Sequence, residues 1–181
     1  MENRTALHCA TCENQIEAIK LLLKYGASTE ARTLHYRTPL HLACILGGDI
    51  ACKLLLEAGA LVNVQDFERN TPIHYAVFYG DVKIIKLLLE KNADLELKNK
   101  KGQIPLDLAN DKVIANLLKE HLIRLGKGYK KRNVAFQKKV LAKKESAKQL
   151  NITNPKYTSC RNLNVPIKPL LSSDTLSAEV S

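Results

Sequence analysis

Thr71-Pro72-Ile73-His74-Tyr75-Ala76 decides the reading of this chain, because its pattern returns at Thr38-Pro39-Leu40-His41-Leu42-Ala43, at Thr5-Ala6-Leu7-His8-Cys9-Ala10 and at Ile104-Pro105-Leu106-Asp107-Leu108-Ala109. The four starts are 33 residues apart at every step. A period held to the residue over three steps indicates stacked supersecondary units, each of which buries its apolar face on its neighbours.

Each unit reads as helix, turn, helix, loop. Thr5, Thr38 and Thr71 are suited to an N-cap, where a hydroxyl accepts from the free N–H groups of the first turn. Pro39, Pro72 and Pro105 follow at the first helical position, where a missing N–H is harmless. The first helix must be short, since Gly47 and Gly80, with Asn14 at the matching place, offer the left-handed conformation that ends a helix. The second helix carries apolar residues at helical spacing: Ile16, Ile19, Leu22 and Leu23, then Leu55 and Leu56, then Val82, Ile85, Leu88 and Leu89. It closes at Gly26, Gly59 and Asn92, again 33 apart.

These residues resemble the ankyrin repeat, whose signature is Thr-Pro-Leu-His-x-Ala on a 33-residue period, over about residues 2–123. The resemblance implies an all-α solenoid of three full repeats and a shortened C-terminal capping repeat, with short β-turn or hairpin loops between units. It also implies that His8, His41 and His74 are structural hydrogen-bonding residues. The family's turn glycine, two residues before the cap threonine, is present only as Gly102. Asn3, Tyr36 and Arg69 stand at the other copies, and the latter two would be strained if φ is positive there. The fourth unit has Asp107 for His and lacks about four residues; Asn110, Asp111, Lys112, Asn116, Lys119 and Glu120 make it polar enough for a terminal cap. Nothing in the first unit is expected to cover Leu7, Ile16 and Ile19 from upstream, which implies a longer array or a partner on that face.

The net charge of +10 is unevenly distributed. Residues 1–123 hold 15 basic and 15 acidic side chains, whereas residues 124–149 hold ten basic against one acidic. Any anion affinity is therefore expected in that one segment. Of the five cysteines, Cys9, Cys44 and Cys52 fall where small apolar residues pack. Cys9 and Cys12 share one short helix without a second ligand pair in register, so no metal site is read there. No stretch approaches the length of a membrane span, and no signal-peptide core is evident. Cytoplasm or nucleus is the expected location.

Catalysis needs a nucleophile, base or metal set converging on a pocket, and the sequence offers no phosphate loop, nucleophile elbow or Cys/His cluster. The expectation is a non-enzymatic protein-interaction module with no cofactor, no metal and no small-molecule substrate. The resemblance places its contacts on the loop tips and the ends of the first helices. Those residues are Leu34, His35, Arg37, Ile45 and Leu46 in the second unit, and Phe67, Glu68, Asn70, Phe78 and Tyr79 in the third. Arg4, Cys12 and Glu13 belong to the first unit, Lys100, Lys101 and Gln103 to the fourth, and Lys91 is a flanking specificity residue. Two aliphatics beside two aromatics at the centre suggest an apolar binding patch, with inward packing of Phe78 and Ile45 as the alternative.

Three parts are expected: the repeat domain at 1–125, a basic and helix-prone segment at 126–150, and a disordered Ser/Asn/Pro-containing tail at 151–181. Lys130, Lys131, Arg132, Lys138, Lys139, Lys143 and Lys144 dominate the basic segment. They admit a nuclear-localisation signal, contact with phosphates or an anionic surface, a calmodulin-type target, or a solvated helix. Nucleic-acid binding there would be non-specific, since no base-reading motif accompanies it. A regulatory or adaptor fragment of a larger protein and a nuclear nucleic-acid-associated factor using residues 124–149 are the rival readings of function.

Overall fold

The computed structural model describes residues 3–126, so the readings of the basic segment beyond Gly126 and of the tail lie outside the described residues. Three helix pairs follow one another: α1 (Ala6–Cys12) with α2 (Ile16–Lys24), α3 (Pro39–Leu46) with α4 (Asp49–Glu57), and α5 (Pro72–Tyr79) with α6 (Val82–Glu90). A four-residue 3-10 turn (Pro105–Leu108) and α7 (Lys112–Arg124) complete the array. The first helices pack side by side, α1 on α3 and α3 on α5, and the 3-10 turn continues that layer. The second helices form another layer, α2 on α4 and α4 on α6. The fold is an all-α solenoid, and among the described residues there is no strand.

The caps explain why each helix begins and ends where it does. Thr5, Thr38 and Thr71 are extended, and each forms a reciprocal capping box with the histidine three residues on. The first helices stop at Asn14, Gly47 and Gly80, with φ of 50°, 72° and 81°. The second stop at Gly26, Gly59 and Asn92, with φ of 78°, 86° and 59°. All six are the residues whose short or absent side chains suit that region.

The loops between pairs are three copies of one hydrogen-bonded turn. The Thr33 N–H donates to the Arg37 carbonyl at 3.0 Å, and the Tyr36 N–H donates to the Thr33 carbonyl at 2.9 Å. The same two bonds recur between Asp66, Arg69 and Asn70, and between Asn99, Gly102 and Gln103. Such a closed loop needs one left-handed residue. It is Tyr36 (φ 59°), Arg69 (φ 59°) and Gly102 (φ 72°), so two of the three copies carry a full side chain where glycine would be relaxed. Neighbouring turns are stitched together by Phe67 N–H to the His35 carbonyl and by Lys100 N–H to the Glu68 carbonyl, both at 2.9 Å.

One expectation is corrected. Leu7 and Ile19 do not lie open on the upstream side; they are buried at 1% and 0% exposure within the common core, and only Ile16 is partly open. Comparison of equivalent positions shows which residues do face upstream. Ala6, Ala18 and Leu22 are exposed or half-buried, whereas their counterparts Pro39 and Pro72, Ala51 and Ile84, and Leu55 and Leu88 are buried beneath the preceding unit. The direction of a helical stripe depends on how the pairs stack, which periodicity alone does not specify.

Candidate protein-binding surface

The histidines hold adjacent units in register. In the second unit the Thr38 N–H donates to His41 Nδ1 at 3.2 Å, the Thr38 hydroxyl lies 2.9 Å from the same nitrogen, and Nε2 lies 3.2 Å from the Asn70 carbonyl. A carbonyl can only accept, so Nε2 carries the proton and Nδ1 is the acceptor. His8 does the same between Thr5 and the Arg37 carbonyl, and His74 between Thr71 and the Gln103 carbonyl, each reaching 29 residues ahead. Burial lowers all three histidine pKa values, that of His41 to about 4. In the fourth unit Asp107 Oδ2 accepts from the Ile104 N–H at 3.1 Å, which reproduces the capping half of the histidine's work without the ring. These residues are architectural, as the resemblance implied.

A second network crosses the middle turns. Asp66 Oδ1 accepts from the N–H groups of Glu68 and Asn70 at 2.9 Å each. Its other oxygen accepts from the Tyr75 hydroxyl at 2.5 Å and from Arg37 Nε at 3.5 Å. Arg37 also donates to the Tyr75 hydroxyl at 3.2 Å and lies over its ring at 5.4 Å from the centroid. Asn70 joins through the same hydroxyl at 3.4 Å and accepts from Asn99 at 3.1 Å. Burial and then the bond to Asp66 raise the Tyr75 pKa to about 12. Arg37 and Asn70 thus lie half-buried within the protein's own scaffold.

The remaining residues named from sequence fall into two groups. Leu34, His35, Phe67, Glu68, Lys100 and Lys101 are exposed on the tips of successive turns. Lys100 Nζ lies 3.4 Å from the centroid of the Phe67 ring and 3.7 Å from Glu68, so these tips are already organised. Ile45, Leu46 and Tyr79 are half-buried and Phe78 is 42% exposed, at the far ends of α3 and α5. Phe78 and Tyr79 meet edge to face at 5.2 Å. A shallow depression bordered by Gly47, Asp49, Tyr79, Gly80 and Asp81 adjoins them. The first helices, eight residues each in α3 and α5 and so roughly 12 Å long at 1.5 Å per residue, run between the two groups. Lys91 stands apart, as the C-cap of α6 in the second layer.

What joins the groups escaped the sequence reading. The unassigned x of Thr-Pro-Leu-His-x-Ala is Cys9, Leu42, Tyr75 and Leu108. It lies three and four residues before the helix-end pairs, and such residues share one helix face. Cys9, Cys12 and Glu13, then Leu42, Ile45 and Leu46, then Tyr75, Phe78 and Tyr79 therefore form three parallel rows across the first layer. The signal was present in that i, i+3, i+4 spacing. Among the described residues, no group of three or more His, Cys, Asp or Glu could hold a metal ion. No described helix is long and apolar enough to cross a membrane.

Helix pairs stacked on a fixed period, with register bonds between units and an open first-helix face, define a short α-solenoid of the repeat-protein class. A family model of ankyrin repeats, in three copies, matches residues 1–66, 30–99 and 48–127, and the chain belongs to that family. Ankyrin repeats are protein–protein interaction modules and are typically non-enzymatic. No curated protein individually matches the chain at a significant level.

Proposed function

We propose that the chain is a non-enzymatic binding module that takes a protein partner across the rows of α3 and α5, from the turn tips of the middle units to Phe78 and Tyr79. The observation that carries this reading is the edge-to-face pair Phe78–Tyr79 at the end of α5, with Ile45 and Leu46 at the matching end of α3, the helix packed against it. Large aromatic side chains at the centre of a contact are the usual energetic anchors of an interface. Arg37 and Asn70 act in this reading as the rigid support of the turns, and the tips supply the variable contacts. Adaptor or scaffold work in cytoplasm or nucleus is the biological role it fits.

The test is a cross-linked pull-down from whole-cell extract with and without nuclease, comparing the full chain with Tyr79→Ala. A discrete protein retained by the parent and weakened by about 1–2 kcal/mol in the variant supports the reading. Unchanged recovery with unchanged melting would overturn it. A second reading rests on the ten-to-one basic excess of residues 124–149. It makes recovery nuclease-sensitive and dependent on that segment, with a log–log salt slope of about −0.9 per phosphate on duplex DNA.

A further inference from the structure

Residues 1–123 are neutral in total but not across the width of the solenoid. The three equivalent turn windows, residues 31–37, 64–70 and 97–103, hold six basic side chains (Arg32, Arg37, Arg69, Lys98, Lys100 and Lys101) against Asp66 and Glu68. Arg37 pairs with the buried Asp66 and Lys100 with Glu68, which leaves Arg32, Arg69, Lys98 and Lys101 as the excess. At the opposite ends of the first helices, residues 13–17, 46–50 and 79–83 hold Glu13, Glu17, Asp49 and Asp81 against Lys83; Lys83 pairs with Asp49 and Lys20 with Glu17, which leaves Glu13 and Asp81 as the excess. The positive edge is strongest at the exposed Lys98, Lys100 and Lys101 on the turn of the fourth unit, and the apolar anchors Phe78 and Tyr79 lie at the opposite end of α5 in the neighbouring third unit, beside the negative edge.

Resting on the reading above, we propose that the partner is an extended acidic peptide segment that sets a large apolar side chain against Phe78 and Tyr79 and carboxylates at Lys98, Lys100 and Lys101. A helix length of about 12 Å along α5 and a step of about 9 Å to the next unit give a span of roughly 15 Å. An extended chain advances about 3.3 Å per residue, so roughly five residues separate the anchor from the carboxylates. The order follows from charge: carboxylates placed at the Phe78 end would meet Asp49 and Asp81. A nucleic acid fits this face less well, because a uniformly anionic strand would cross the negative edge and has no use for Ile45 and Leu46.

The experiment is selection of a random 16-residue peptide library on the full chain, on Lys100→Glu/Lys101→Glu and on Tyr79→Ala, with circular dichroism to confirm folding of each. The expected result is enrichment of peptides with Asp or Glu about five residues from an aromatic or aliphatic residue. Binding of those peptides should fall at least tenfold in both variants, and the charge-reversed protein should select Lys or Arg at the former acidic positions. Because all three proteins share the basic segment, acidic enrichment that survives charge reversal would assign it to that segment and overturn the proposal. Enrichment without acidic bias that Tyr79→Ala still abolishes would overturn it while leaving the binding face intact. Full displacement of the peptides by a single-stranded oligonucleotide, from the parent but not from the charge-reversed protein, would reassign the lysines to phosphate recognition.

Discussion

His41 Nε2 and the carbonyl of Asn70, 29 residues apart in sequence, lie 3.2 Å apart in a buried contact that joins the second unit to the third. With Thr38 held on the opposite nitrogen, one imidazole satisfies a backbone donor in its own unit and a backbone acceptor in the next. Removing the ring leaves the buried Thr38 N–H without its acceptor and takes one of two donors from the Asn70 carbonyl, which keeps the Asp66 N–H. His41→Ala is expected to cost about 2–4 kcal/mol, combining the lost bonds with the cavity. Urea unfolding read by far-ultraviolet circular dichroism checks the value, and a loss under 1 kcal/mol would contradict the register role.

The same ring makes stability depend on pH. The His41 pKa is lowered to about 4 by burial, against an ordinary 6.5, so the unfolded chain binds its proton first as pH falls. The contribution is complete above about 6.5 and is lost progressively down to about 4, on the order of 3 kcal/mol in all. His8 and His74 shift in the same direction and add to the slope. Urea midpoints should therefore fall between pH 7 and pH 5, and fall less in His41→Gln. Equal slopes in parent and variant would rule His41 out as a source.

Much of this architecture was legible in the sequence, because caps and left-handed positions are local. Thr38, Pro39 and Gly47 each announce their backbone role through their own side chain, and the 33-residue spacing repeats the message. The strain expected at Tyr36 and Arg69 was legible for the same reason, since Gly102 shows what the position prefers. Leu7 and Ile19 were misread because periodicity identifies a stripe without saying which neighbour covers it. The Arg37–Asp66–Tyr75 network was invisible because its members are 29 and 9 residues apart and meet only when the turns stack. Arg37 and Asn70 consequently looked like variable contact residues when their side chains are spent internally.

Tyr36, Arg69 and Gly102 form an internal comparison of backbone strain. A left-handed conformation costs a residue with a side chain about 1 kcal/mol or more relative to glycine, offset in part by glycine's freedom in the unfolded chain. Arg69→Gly should stabilise by roughly 0.5–1 kcal/mol, and Gly102→Ala should destabilise by a similar amount. A Cβ added at Gly102 meets nothing within 4 Å, so the latter change reports the backbone alone. Thermal denaturation of the two single variants decides the matter; shifts of the same sign would refute it.

Tyr75 carries a hydroxyl that donates to Asp66 and accepts from Arg37 and Asn70. Tyr75→Phe removes the shortest bond to a buried carboxylate and is expected to cost about 1.5–3 kcal/mol. In the parent, burial and the Asp66 bond raise the phenol to about 12, so folding favours its protonated form. Stability attributable to Tyr75 is then complete below about pH 10 and declines as pH rises from there toward 12. Phenolate absorbance during alkaline titration should include one step near 12, above the ordinary phenol range, and that late step should vanish in Tyr75→Phe.

Leu22, Leu55 and Leu88 occupy one position of three successive second helices, yet only the first is half-open, while the other two are at 0% exposure. Truncating a fully enclosed leucine removes its transfer energy and leaves a cavity, typically at a cost of about 2–5 kcal/mol. Where one side already faces water, the cavity is never closed and less apolar area is lost. Leu55→Ala and Leu88→Ala should each cost about 3 kcal/mol, and Leu22→Ala roughly 1 kcal/mol, when measured on the isolated chain at low concentration. A Leu22→Ala cost equal to that of Leu55→Ala under dilute conditions would mean that the upstream side is already covered within the chain itself.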